Sequence, residues 1–120
     1  MDSIRSFAQQ MLHLASDNVG FVEYAASIKA GFSLEGAEKR TTAQSKDSVV
    51  YYVTKSYDFA IHGIKEFDAG KFGERVGDPG RQQTRFAMFL KGFEHQTHHR
   101  GQTTIYIRLV GIRPPNERLF

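Results

Sequence analysis

A chain of 120 residues, 40% hydrophobic and 24% charged, has the length and composition of one globular domain with a modest core, which argues against disorder. It has no cysteine, so disulfides, thiolate metal sites and a cysteine nucleophile are excluded, and any metal must be held by nitrogen and oxygen. The net charge of +3 is uneven, with seven Arg or Lys against two Glu in residues 81 to 120, but Arg85, Lys91, Arg100, Arg108 and Arg113 are dispersed and form no nucleic-acid-reading stripe.

The opening Met1-Asp2-Ser3-Ile4-Arg5 lacks the basic flank and apolar core of a signal peptide, and no apolar run reaches membrane-spanning length. The simplest reading is a cytoplasmic protein with no membrane partner. Apolar residues then recur at intervals near three and four, Ile4, Phe7, Met11, Leu14, Phe21, Val22, Ala25 and Ile28, which predicts a first helix over about 3–28 with Asp2 or Ser3 as its cap. His13 sits in the middle of it, and Gln9, one turn earlier, could either fix its tautomer or face solvent.

Between Gly31 and Lys46 the residues turn small and polar, and we expect a connection. Asp47 offers a cap for a second helix carrying Val49, Val50, Val53, Tyr57, Ile61, Ile64 and Phe67 and ending near Ala69-Gly70. Its His62 lacks a strong i+4 ligand partner, reads as structural, and could pair with Asp58. Residues 70–80 are Gly-rich but match neither phosphate-cradling pattern, so they read as a loop. Asp78-Pro79 signals the start of a third helix from about Arg81 to Gly111 or Ile112, stopped by Arg113-Pro114-Pro115.

The third helix carries the chemistry. His95 and His99 are four residues apart, hence one turn apart on one face, where two ring nitrogens can share a metal ion if a third ligand arrives from elsewhere; His13 is the candidate. With His95 as reference, Met88, His99, Gln102 and Tyr106 fall within about 40° of it, while Phe86, Phe89 and Phe93 lie near the opposite side. His98 would turn a site away from that stripe and is assigned to its periphery or the surface. Gln102 could orient a ligand or bond another helix, and Gly101 in a helix interior suggests close backbone approach.

The segment Ser3-Ile4-Arg5-Ser6-Phe7-Ala8-Gln9-Gln10-Met11-Leu12-His13-Leu14-Ala15, followed by His95-Gln96-Thr97-His98-His99-Arg100-Gly101-Gln102 and the ending Leu109-Val110-Gly111-Ile112-Arg113-Pro114-Pro115, resembles the DinB/YfiT family. These are small four-helix bundles with a three-histidine divalent metal site, so the resemblance implies an all-α helix bundle with His13, His95 and His99 as metal ligands. Nitrogen donors suit zinc or nickel without choosing between them. The resemblance implies a metal-dependent hydrolase or an S-transferase using a low-molecular-weight thiol; a noncatalytic, stress-associated metal-binding protein is the alternative. No catalytic base is assigned. Relatives usually carry a further helix before the one with the first histidine, so three main helices are expected here, in a bundle shortened at its N-terminus. A homodimer would cover the face left open.

Overall fold

A computed structural model describes residues 4–116 of the chain. Three long helices dominate: α1 (Phe7–Ala26), α2 (Lys46–Lys65) and α3 (Arg85–Leu109). They form an all-α bundle with one helix fewer than a four-helix bundle. Among the described residues no helix is long and apolar enough to cross a membrane.

α1 is the central element. It starts later than the apolar spacing predicts, because Ser6 and Gln9 form a reciprocal capping box: the Gln9 N–H donates to Ser6 Oγ at 3.2 Å, and the Ser6 N–H donates to Gln9 Oε1 at 2.8 Å. Gln9 is therefore engaged at the cap and not with His13; the expected caps Asp2 and Ser3 lie outside the described residues. Leu12, Leu14, Ala15, Val19, Val22 and Ala25 are all buried, since α2 and α3 pack on different flanks of α1 and hardly touch each other. The helix closes at Ser27, which adopts a left-handed conformation (φ 56°). Arg85 secures that end, its guanidinium donating to Ala25 O at 2.7 Å, Ser27 Oγ at 2.8 Å and Glu74 Oε2 at 2.9 Å.

The connection from α1 to α2 is long because it runs back along the bundle. The C-terminal ends of α1 and α2 meet where Gly63 lies against Val22 and Ile28, so the two helices are parallel. Two short 3-10 turns, Ala37–Lys39 and Thr41–Ala43, shape the return. Leu34, Ala37 and Ala43 from this stretch join Leu12, Ala15, Val19 and Val49 in the core. Burial of these side chains, worth about 25 cal/mol per Å² of apolar surface, fixes the connection's path. α2 is capped by Ser45, not Asp47, with the Ser48 N–H donating to Ser45 Oγ at 3.2 Å. The expected Asp58–His62 pair does not form.

The loop after α2 is more structured than its glycines suggest. It contains a 3-10 turn (Ala69–Lys71) and a two-residue antiparallel ladder, β1 (Arg75–Val76) with β2 (Gln83–Thr84). This ladder occupies the residues expected to begin the third helix, and Thr84, whose Oγ1 accepts the Ala87 N–H at 3.1 Å, becomes the cap. Asp78-Pro79 forms a turn instead, with the Arg81 N–H donating to Asp78 O. Phe67, Phe72, Phe86 and Phe89 fasten the loop to α3, with ring centroids 5.1 to 6.1 Å apart.

Candidate metal centre

α3 runs antiparallel to α1, and its register determines what meets. Gly92 sits against Phe21, where an added Cβ would lie 3.0 Å from the Phe21 Cβ. One turn further His95 meets Asp17, then His99 meets His13, and at the far end the Tyr106 hydroxyl donates to Arg5 O at 2.6 Å. The close approach expected at Gly101 belongs to Gly92; nothing lies within 4 Å of a Cβ added at Gly101.

His13, His95 and His99 each place one ring nitrogen so that the three atoms lie within 4.8 Å of one another. The tightest pair is His95 and His99, whose Nε2 atoms are 3.0 Å apart. Two nitrogens bound at about 2.0–2.1 Å to one tetrahedral ion stand roughly 3.3 Å apart, so this pair matches the edge of a coordination shell. His99 is 6% exposed.

Groups behind two of the rings fit the same arrangement. Gln102 Oε1 lies 3.0 Å from His99 Nδ1; accepting the proton there leaves the Nε2 lone pair facing inward. Gln10 supports the accepting oxygen, its amide nitrogen donating to Gln102 Oε1 beside the His99 ring. Behind His13, Glu38 Oε2 stands 3.4 Å from Nδ1 and is itself held by Arg5 Nε at 3.0 Å. A carboxylate behind a ring nitrogen is the usual companion of a metal-binding histidine. His95 differs, for its Nδ1 is buried without a partner. Its Nε2 instead meets Asp17 Oδ2 at 3.0 Å, and the same oxygen lies 3.6 Å from His13 Nε2.

Burial disfavours charge on these rings. The His99 pKa falls from 6.5 to about 4, chiefly through desolvation and then through the neighbouring His95 and His13, with the Gln102 bond opposing. His95 is also lowered, again mainly by desolvation, while the Asp17 carboxylate pulls it up. At neutral pH both are therefore uncharged and able to donate lone pairs.

His98 stays at the edge, as its position on the helix predicts. It is exposed, its ring lies 4.9 Å from that of His99, and its Nε2 accepts from Gln102 Nε2 at 3.1 Å. Asp17, Glu38 and Gln10 are the site residues that sequence reasoning missed. A cavity of about 350 Å³, lined by His13, Ser16, Asp17, Glu38 and Lys39 among others, opens the cluster to solvent on the side of the connection.

A family model described as the DinB family matches residues 2–118, nearly the whole chain. The chain belongs to the DinB family. No curated protein matches it at a significant level. The three converging histidines of this DinB-family chain come from α1 (His13) and α3 (His95 and His99).

Proposed function

We propose that this DinB-family protein holds one divalent metal ion, zinc or nickel, through His13, His95 and His99, and uses it as a metal-dependent hydrolase or a low-molecular-weight-thiol S-transferase. The observation that carries this reading is the convergence of three ring nitrogens from two helices within 4.8 Å. Bound by neutral imidazoles, such an ion keeps its charge and an open position, and so makes a water or a thiol acidic near neutral pH. Gln102 and Glu38 orient the rings of His99 and His13 from behind. Asp17, with its oxygen 3.0 Å from His95 Nε2 and its side chain on the solvent-open cavity, is the group placed to accept a proton from an incoming nucleophile.

The same Asp17 oxygen supports a second reading. If it takes the remaining position on the ion, the centre is closed and serves to tie α1 to α3, as in a noncatalytic metal-binding protein.

Elemental analysis of the wild type beside His13→Ala, His95→Ala, His99→Ala and His98→Ala tests the ligand set. Each of the first three should lose most of the metal and His98→Ala little; equal loss in His98→Ala with retention in His99→Ala would overturn the assignment. Turnover by the loaded protein on panels of thiols with electrophilic acceptors, and of esters and amides, separates the readings. Full metal occupancy without turnover favours the closed centre.

A further inference from the structure

The face of α1 that presents His13 continues along the helix. With His13 as reference, Asp17, Gly20 and Tyr24 all fall within about 40° of it. Across the seam, Met88 lies on the same stripe of α3 as His95 and His99. The antiparallel register that brings His95 to Asp17 therefore sets Gly20, Tyr24 and Met88 beside the histidine cluster, on the side away from Arg5 and Tyr106.

These residues form an open shelf. It offers a cavity of about 280 Å³, lined by Asp17, Gly20, Phe21, Tyr24 and Met88. Its surface is almost wholly apolar, and its one carboxylate belongs to Asp17, whose Oδ2 stands 3.0 Å from His95 Nε2. The Phe21 ring lies 5.6 Å, centroid to centroid, from that of His95. Shelf and cluster are thus continuous through Asp17 and Phe21.

Gly20 keeps the shelf clear. It is exposed, within α1, and a Cβ added there would meet no atom within 4 Å. Gly63 and Gly92, by contrast, admit Val22 and Phe21 against their backbones. The side chain missing at Gly20 makes room for no neighbour in the protein and leaves space next to Asp17. Beyond Asp17 the lining holds no charged group to anchor an ionic ligand, whereas apolar contact contributes about 25 cal/mol per Å² removed from water.

We propose that this shelf holds the apolar part of the substrate that reacts at the histidine cluster. Gly20 and Phe21 follow Asp17 by about one helical turn, roughly 5.4 Å along the axis. The substrate class is accordingly a compound with one aryl or branched alkyl group a few bonds from its reacting atom. As a statement about what reacts, this rests on the metal-dependent reading; as a statement about apolar binding, it does not.

The test compares two thiols on the full chain, ethyl mercaptan and phenethyl mercaptan, which adds a ring at that distance from sulfur. Calorimetry on the zinc-loaded protein should show phenethyl mercaptan binding about tenfold more tightly. It should also shift the Met88 methyl NMR signal saturably, and ethyl mercaptan should not. Gly20→Gln, which lengthens an exposed side chain where nothing clashes, and Tyr24→Ser, at a half-exposed position, should each bring the two affinities together. Repeating the titration after chelator treatment separates the two claims. A weaker but saturable Met88 shift there supports the shelf even if the protein retains no metal. Equal affinities in the zinc-loaded wild type, no Met88 shift in either form, or a full preference kept in both variants would overturn the proposal.

Discussion

Asp17 and His95 face each other across the seam between α1 and α3, with Oδ2 3.0 Å from Nε2. This carboxylate is the one strong influence favouring the charged form of a ring whose burial opposes it. Removing the charge in Asp17→Asn should therefore move the His95 titration further below its ordinary range in the metal-free protein. Ring-proton NMR across pH measures the midpoint; an unchanged value would show that the two groups do not meet in solution.

Glu38 reaches His13 from the connection between α1 and α2, and Arg5 holds Glu38. Support of this kind typically contributes 10–100-fold to metal affinity. Glu38→Gln should weaken zinc binding by about tenfold, measured by competition with a chromophoric chelator, and Arg5→Ala should weaken it less. Wild-type affinity in Glu38→Gln would mean that the carboxylate is not bracing the ring.

The depressed pKa of His99 makes the metal-free fold sensitive to acid. Between its folded value of about 4 and the unfolded 6.5, the unfolded chain binds more protons than the folded one, so stability is lost as pH falls through this window and is regained as pH rises. The slope from one such group is about 1.4 kcal/mol per pH unit, and His95, also lowered, acts in the same direction. Urea unfolding of the chelator-treated protein at pH 5 and pH 7 should show the loss, and His99→Leu should reduce the difference between the two.

The glycines separate close packing from open space. An added Cβ at Gly63 would lie 2.6 Å from Val22 Cγ1, whereas one at Gly101 would meet nothing within 4 Å. Gly63→Ala should destabilise by roughly 1–3 kcal/mol through overpacking. Gly101→Ala should stabilise by up to about 1 kcal/mol, because the helix gains without a clash. Denaturant midpoints of the two variants decide both.

What could be read from the residues followed the range of the signal. His95 and His99 were legible because i,i+4 spacing is local to one helix, and the three-helix, all-α architecture followed from apolar periodicity. His13 stood out as a candidate third partner from its place in the middle of an amphipathic helix, and the resemblance singled out the same residue, although no local pattern specifies which helix face meets α3. Asp17 was within reach of the same logic, lying one turn from His13, and the box formed by Ser6 and Gln9 is a readable Ser-x-x-Gln; the apolar Ile4 drew the start of the helix too early. Asp47 and Asp78-Pro79 lost to Ser45 and Thr84 because several residues near each helix start can cap it, and the core and the short ladder choose among them. Glu38 was out of reach, for its position depends on how Leu34 and Ala37 seat a connection in the core.

Asp17 and Asn18 are neighbours on α1, and an α-helix separates neighbours by about 100° around its axis. One therefore looks toward the histidines and the other toward the cleft between α2 and α3, on a shaft too stiff for either to swivel alone. Turning this shaft far enough to bring Asn18 to the surface would swing the Asp17 carboxylate away from His95, so the burial of one residue and the aim of the other are set by a single rotation of α1.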